Sequence, residues 1–361
     1  MRRKVPAGPL VPALALVLVM ALAGCAGGSS RQPAPQPRAE RGFLSTYVQP
    51  DGRVTRPDQG GDTVSEGQAY GLLLAEAAGS NGAFSRIWQW TRDHLQLPDG
   101  LFAYHASAAG QILSRQPASD ADLLMAWALL RYRGPGAAAI HAEGRRVAAA
   151  VLAHEVTTGP GGMPILAAGP WATGRPASLD PSYWSLTAMN GIAALTGNPR
   201  WRQLANGAMA LTRHLTGNGR VLPPDWAELT ASGVIQPEPA PNGSQPQPQY
   251  GLDAQRVVVW FASSCDAQAR QLAARWWALL KPGERAQATV LHPAGTVIDP
   301  AEAVLPLVAS ASSAYAAGAA GAGRHLLRRA SQVQRKYPTY YGGAWAALGP
   351  ALLSGSTLGG C

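Results

Sequence analysis

The sequence predicts an all-α protein built from about six helix pairs. Three observations lead there. Cap and stop residues punctuate a run of helix-length apolar segments from Gly42 onward. Within the pairs, a helix apolar all round alternates with an amphipathic one. Three helix starts, far apart in the chain, are rich in acid: Glu66, Asp120 with Asp122, and Asp253. The alternation suggests an inner ring of helices inside an outer ring, an (α/α)6 barrel, because a helix without a polar face has to be buried. An open solenoid or a generic helical array satisfies the same periodicity.

The first residues are not part of that fold. Arg2, Arg3 and Lys4 precede an apolar run from Leu10 to Leu22, and Leu22-Ala23-Gly24-Cys25 has the form of a lipobox. Residues 1–25 therefore read as a lipoprotein signal peptide with Cys25 as the lipidation site, which predicts export and a membrane anchor. Residues 26–41, mostly Gly, Ser, Pro, Gln, Ala and Arg, read as a disordered tether, and 42–361 as the folded domain. The net charge of +9 is concentrated at this end, where Arg2, Arg3, Lys4, Arg31, Arg38 and Arg41 stand against Glu40 alone. The body has a mild surplus and no basic stripe interleaved with aromatics, so nucleic acid is not an expected partner. With Cys25 lipidated, Cys265 and Cys361 remain as a pair that could fix the C-terminal tail to the body. The seven histidines are scattered, and no Cys or His cluster has zinc spacing.

The expected pairs are 66–78 with 83–95, 120–133 with 138–155, 181–196 with 199–215, 254–263 with 266–280, and 301–317 with 323–335. A last helix at 341–353 could partner a short segment near 38–48. Ser65 is the expected cap of the first helix, with Gln68 as its capping-box partner. Ser119 caps the third, and Asp180-Pro181 and Asp299-Pro300 each supply a cap and a first-turn proline. Gly79, Gly197 and Gly217 are stop signals. The helices containing Leu72 to Ala75, Leu123 to Leu130 and Val257 to Phe261 are the inner type, whereas those carrying Arg200, Arg202 and Gln203, or Arg270, Gln271 and Arg275, are the outer type. Segments 156–180 and 216–252 are too rich in Gly and Pro for helix. Loops of this length inside a compact domain read as walls of a cleft, with the Pro-Gln-rich 236–249 as a mobile flap.

Acids at three helix starts aimed at one end of a helical barrel would make an acid/base cleft. Cleaving a glycosidic bond needs one carboxylic acid to protonate the leaving oxygen and one carboxylate to activate water or attack the sugar. Tyr70, Tyr104, Trp127, Trp171, Tyr183, Trp184, Trp226 and Trp260 lie near these positions, and aromatic faces stack on sugar rings. Trp127 and Trp260, deep in apolar helices, read as core. Trp171, Tyr183 and Trp226, beside loops, are the better sugar candidates. Trp88, Trp90, Trp276 and Trp277 belong between the rings.

Three stretches resemble glycoside hydrolase family 8, in particular its cellulose-synthase-associated endoglucanases. They are Ser65-Glu66-Gly67-Gln68-Ala69-Tyr70-Gly71, Ala118-Ser119-Asp120-Ala121-Asp122, and Asp253-Ala254-Gln255-Arg256. Pro181-Ser182-Tyr183, Pro224-Asp225-Trp226 and Tyr340-Tyr341 add to the likeness, which spans about 42–350. It implies an (α/α)6 barrel and inverting hydrolysis of β-1,4-glucan without metal or organic cofactor, serving either glucan synthesis, with exopolysaccharide synthesis machinery as a partner, or glucan digestion. Motif match makes Glu66 the general acid and Asp253 the base, while Asp120 binds the sugar at the cleavage subsite. Tyr183, Arg256, Trp226, Tyr104, Trp171 and Asp122 form the substrate-binding set. Glu66 has to be protonated near neutrality, so burial or the nearby Asp120 should raise its pKa.

The chain departs from the family pattern at Leu252, where a tyrosine that helps to hold the water is usual; Tyr250, two positions earlier, is a possible substitute. Ala69 replaces the usual Gly or Ser, and Leu101-Phe102-Ala103-Tyr104-His105 replaces a Trp-rich platform. Leu252 motivates an alternative, a glycan-binding lipoprotein with weakened catalysis. A further alternative is a hydrolase of xylan, chitosan or mixed-linkage glucan.

Overall fold

The computed structural model describes residues 38–354 and 357–359. The signal peptide, Cys25 and residues 26–37 of the tether lie outside the described residues, as does Cys361; residues 38–41, expected as tether, instead open the helix Arg38–Tyr47. Cys265 is engaged in a disulfide.

Twelve helices are present among the described residues. The inner ones are α2 (Ser65–Ala77), α4 (Ser119–Arg131), α6 (Leu186–Thr196), α8 (Leu252–Ala262), α10 (Val304–Ala316) and α12 (Tyr340–Leu353). The outer ones are α1 (Arg38–Tyr47), α3 (Asn81–His94), α5 (Ala137–His154), α7 (Arg200–Leu215), α9 (Ala267–Leu280) and α11 (Ala320–Lys336). Each inner helix packs on the next, and α12 returns to α2, so the ring closes. Closure decides for the barrel over the open array that the periodicity also allowed. The segment near 38–48 is indeed helical, and α1 packs against α12 and α2.

The alternation has a direct physical basis. In α4 every residue from Ser119 to Leu130 is buried. Its large apolar side chains each contribute roughly 1.5–3 kcal/mol by leaving water. In α11 only Gly323, Ala330 and Val333 are buried, and arginines cover the rest. Close approach of inner helices sets residue size: a Cβ on Gly191 of α6 would meet Trp127 Nε1 of α4 at 2.5 Å. Trp127 and Trp260 are core, as expected. Trp88, Trp90 and Trp276 are buried on outer helices, and Trp277 is half-buried.

Two expected helix starts are corrected. Asp299 and Pro300 lie in the strand β10 (Val297–Glu302), which pairs antiparallel with β9 (Ala288–Leu291) through two bulges. Asp299 Oδ1 accepts from Ala301 N–H, a turn-like bond that holds the bulge, and the helix starts only at Val304. Asp180 does cap, accepting from Ser182 N–H, but the proline opens one 3-10 turn (Pro181–Tyr183), and Ser185 caps the true helix α6.

The two long loop segments carry short strands. β4 (Val156–Thr158) pairs with β5 (Pro164–Leu166), while β6 (Ala177–Leu179), β7 (Trp226–Leu229) and β8 (Ile235–Glu238) form a three-stranded antiparallel sheet. β1 (Thr63–Val64), β2 (His105–Ala106) and β3 (Ile112–Ser114) form another just before the acid-bearing start of α2.

Candidate active site

The starts of α2, α4 and α8 meet at one end of the barrel, and Arg256 of α8 ties their acids together. Its Nη1 donates to Glu66 Oε2 at 3.1 Å and to Asp120 Oδ2 at 2.8 Å, and its Nη2 donates to Asp253 Oδ1 at 2.9 Å. The Tyr183 ring lies 5.3 Å from the guanidinium carbon, in cation–π range. Arg256 is only 3% exposed. A buried guanidinium needs several acceptors, and its rigid fork can serve several carboxylates at once.

The three acids face different surroundings. The Asp253 side chain is 33% exposed, Glu66 17% and Asp120 6%. Burial pushes Glu66 up to about 7; Arg256 opposes the shift, and the charges of Asp120 and Asp253 add to it. Burial likewise raises Asp120, against Arg256 and the Ala121 N–H that bonds its carboxylate at 2.8 Å. Asp180, at the end of β6, joins this group. Its Oδ2 is 3.8 Å from Arg256 Nη2, and burial beside Asp253 holds its carboxyl well above the ordinary range.

Local capping differs from expectation. Val64 and Ala118, not Ser65 and Ser119, hold the cap positions, and neither gives a side-chain cap bond. Tertiary contacts take over: Ser65 N–H donates to Tyr104 O at 2.9 Å, and Ser119 Oγ donates to Ala167 O at 2.5 Å. Gln68 turns away from the helix start, accepting from Val54 N–H and donating to Thr91 Oγ1 at 2.7 Å. These contacts seat each acid against the loop beside it.

A cavity of about 400 Å³ adjoins the acids, lined by Tyr104, Ser114, Gln116, Trp171, Tyr183, Trp226, Pro241 and Asn242 among others. Thus four of the aromatics expected at a sugar come together. Tyr104 is 38% and Trp171 45% exposed, with Trp171 Nε1–H held on Pro117 O at 3.1 Å. Pro241 and Asn242 bring the 236–249 segment to the cavity wall.

Asp122 is a correction. It does not reach the cleft: it is fully buried, accepts from Phe102 N–H at 2.9 Å and lies beside the buried carboxyl of Glu155, and burial holds both carboxyls well above the ordinary range. Two residues along a helix is about 200°, so Asp122 faces nearly opposite to Asp120. Tyr250 is also buried, with its hydroxyl unpartnered and close to Asp225, while Leu252 is 37% exposed.

Sequence reasoning passed over Asp180 as a site residue, reading it only as a cap. It did not single out Arg56 and His105, which hold Asp62 just before β1 at 2.6 and 2.7 Å. Tyr341, whose hydroxyl pKa burial raises beside Arg256, Glu66 and Asp253, was quoted only as part of a motif.

A raised acid and an open carboxylate around one cation, beside an aromatic-lined cleft, are the groups that glycosidic hydrolysis requires. The chain belongs to glycosyl hydrolases family 8, whose family model matches residues 11–342. A probable endoglucanase of Novacetimonas hansenii is 31% identical over 251 residues, covering 65% of this chain and 69% of that protein. The family 8 endoglucanase structure from Klebsiella pneumoniae superimposes with a TM-score of 0.73 at 26% identity, covering 88% of this chain and 98% of that one. A β-1,3-1,4-glucanase from Paenibacillus sp. X4 shares the fold, with a TM-score of 0.76 at 18% identity over 89% of this chain and 91% of its own.

Proposed function

We propose that this family 8 hydrolase is an endo-β-1,4-glucanase that inverts at the cleaved carbon, with Glu66 as general acid and Asp253 as general base. The observation that carries the reading is the shared guanidinium. Glu66 and Asp253 bond to different amino groups of Arg256, so one cation gathers acid and base at the same end of the barrel; the inverting outcome rests on the resemblance to the family. Inverting pairs stand roughly 6.5–9.5 Å apart to admit a water, whereas retaining pairs stand roughly 5–5.5 Å apart.

The chemistry follows from the surroundings. Glu66, pushed up to about 7, keeps its proton on about half of the molecules at neutral pH and gives it to the leaving glycosidic oxygen. Asp253, the most exposed of the three, meets water from the cleft and takes its proton as the oxygen attacks. Asp120 accepts a sugar hydroxyl at the cleavage subsite, and Arg256 keeps both Asp residues in place as charge moves. Tyr104, Trp171, Tyr183 and Trp226 offer ring faces to successive sugars, which an endo-acting enzyme needs along its cleft.

The test is release of reducing ends from carboxymethylcellulose by the full chain, beside Glu66→Gln and Asp253→Asn, with proton NMR of the first product. An α-anomer released first, and lost in both variants, is expected. A β-anomer first, or activity kept in Asp253→Asn, would overturn the assignment. Activity on xylan, chitosan or mixed-linkage glucan but not on carboxymethylcellulose would move the substrate and leave the roles standing.

We also infer export and anchoring through a lipid on Cys25, because an apolar Leu10–Leu22 run ends in a lipobox. Cys25→Ala should shift the protein from the membrane fraction to the soluble one; an unchanged distribution would sink the anchor.

A further inference from the structure

We propose that Asp225 is a positioning residue: from a distant part of the chain it caps the helix that carries Asp253, and so fixes the base relative to the cleft wall at Trp226. The proposal rests on the reading of Asp253 as the base.

Helix α8 has no cap of its own. The residue at its cap position is Gly251, which has no side chain to offer. The orphaned first-turn N–H groups are satisfied from 26 and 29 residues away: Asp225 Oδ1 accepts from Gly251 N–H at 2.9 Å and from Ala254 N–H at 2.7 Å. Ala254 N–H is the donor that a local Ser or Asp cap would normally take. The other oxygen of Asp225 accepts from Gln249 Nε2 at 3.1 Å, and its own N–H donates to Gln249 O at 2.8 Å. The side chain is fully buried. Gly251 is what makes room for it, since a Cβ there would stand 2.4 Å from Asp225 Oδ2. The backbone of Gly251 is extended (φ −114°, ψ −156°), so its lack of a side chain answers to space and not to backbone conformation.

The position of Asp225 in the chain completes the argument. It directly precedes Trp226, the first residue of β7 and part of the cavity wall. One residue thus holds the N-terminal turn containing Asp253 while its neighbour lines the sugar cleft. A displacement of about 1 Å in a reacting group can cost about a hundredfold in rate, so a cap at this place acts on turnover and not only on stability.

The experiment is a four-variant comparison in the full chain, with kcat and KM on a cello-oligosaccharide expressed per folded enzyme. Asp225→Ala should lower kcat about 10- to 100-fold with KM within about threefold, because the aromatic wall remains while the base shifts. Asp225→Ala combined with Gly251→Ser should recover at least about fivefold of the lost kcat: the first change clears the space and the second supplies a local cap. Gly251→Ser alone should lower kcat, because it collides with Asp225. Asp225→Asn keeps Oδ1 as an acceptor and should lose several-fold less than Asp225→Ala. The proposal is overturned if Asp225→Ala keeps kcat per folded enzyme within about twofold, if the loss falls on KM alone, or if the double variant is as inactive or as unfolded as the single one. Asp253→Asn run alongside separates the two readings. Activity retained there removes the base assignment, whereas an inactive Asp253→Asn beside an unaffected Asp225→Ala removes only the cap.

Discussion

Asp120 and Asp122 begin the same helix, are both buried and stand two residues apart, yet they belong to different kinds of site. Asp120 shares Arg256 with Glu66 and Asp253 at the mouth of the barrel. Asp122 meets a second acid, Glu155, and one backbone N–H, with no cation. Burial raises the carboxyls of Glu66, Asp120, Asp122 and Glu155 alike, so a raised pKa alone does not separate a catalytic acid from a structural one. What separates them is company: a shared cation that positions the carboxyls beside the cleft, or a second buried acid away from it. Two carboxyls in contact have to share a proton, because two adjacent buried charges repel too strongly.

The sharpest break of this comparison is at the cation-held cluster. Glu66→Gln and Asp253→Asn should each lower kcat by about a thousandfold or more, read as reducing ends released, as expected for the loss of a general acid or base. Arg256→Lys should follow at roughly a hundredfold, because a point charge cannot serve three carboxylates as the fork does; a loss under about threefold would show that the shared cation is dispensable. The pH profile of kcat/KM is a third check. Glu66 works protonated, so the alkaline limb should fall about tenfold per unit above about pH 7, and Glu66→Asp should move that limb. In the cleft, Trp171→Ala should cost about tenfold in kcat/KM, mostly in KM, as one aromatic contact worth ~1.5 kcal/mol.

The acid–acid pair should respond in the opposite way. Glu155→Gln should leave kcat per folded enzyme within about threefold but alter how stability depends on pH. Here the folded pKa lies above the unfolded value of about 4, so the folded chain binds the extra proton. The pair's contribution is full below about pH 4 and is lost as pH rises from there toward the raised folded value. Urea unfolding at pH 5 and pH 8 should show the wild type losing more stability than Glu155→Gln over that interval. Equal slopes would mean that the pair carries no shared proton.

Much of the barrel is legible in the chain because it rests on short-range physics. Val257 to Phe261 and Leu123 to Leu130 leave no polar face, so those helices must be inside; Arg270, Gln271 and Arg275 mark an outside face. Helix ends are read less well where a tertiary partner replaces the local one. Ser65, Ser119 and Gln68 have the right identities and spacing for caps, but Ser119 Oγ bonds to Ala167 O in a loop, Gln68 bonds to Thr91 of α3, and Ser65 is held through its backbone N–H on Tyr104 O. Asp299-Pro300 fails for a related reason, since pairing with β9 satisfies its backbone as strand.

The site divides along the same line. The sequence by itself determined that the chain is helical, which helices are buried, and that Glu66, Asp120 and Asp253 sit in first turns, because periodicity, capping residues and motif spacing are local in the chain. Only the tertiary structure decided that ring closure brings these three to one guanidinium, that Asp122 turns to Glu155, and that Asp225 completes the start of α8. Apart from Asp253, which meets Arg256 one helical turn away, those outcomes depend on groups meeting across separations of 26 to 190 residues, which no local pattern encodes.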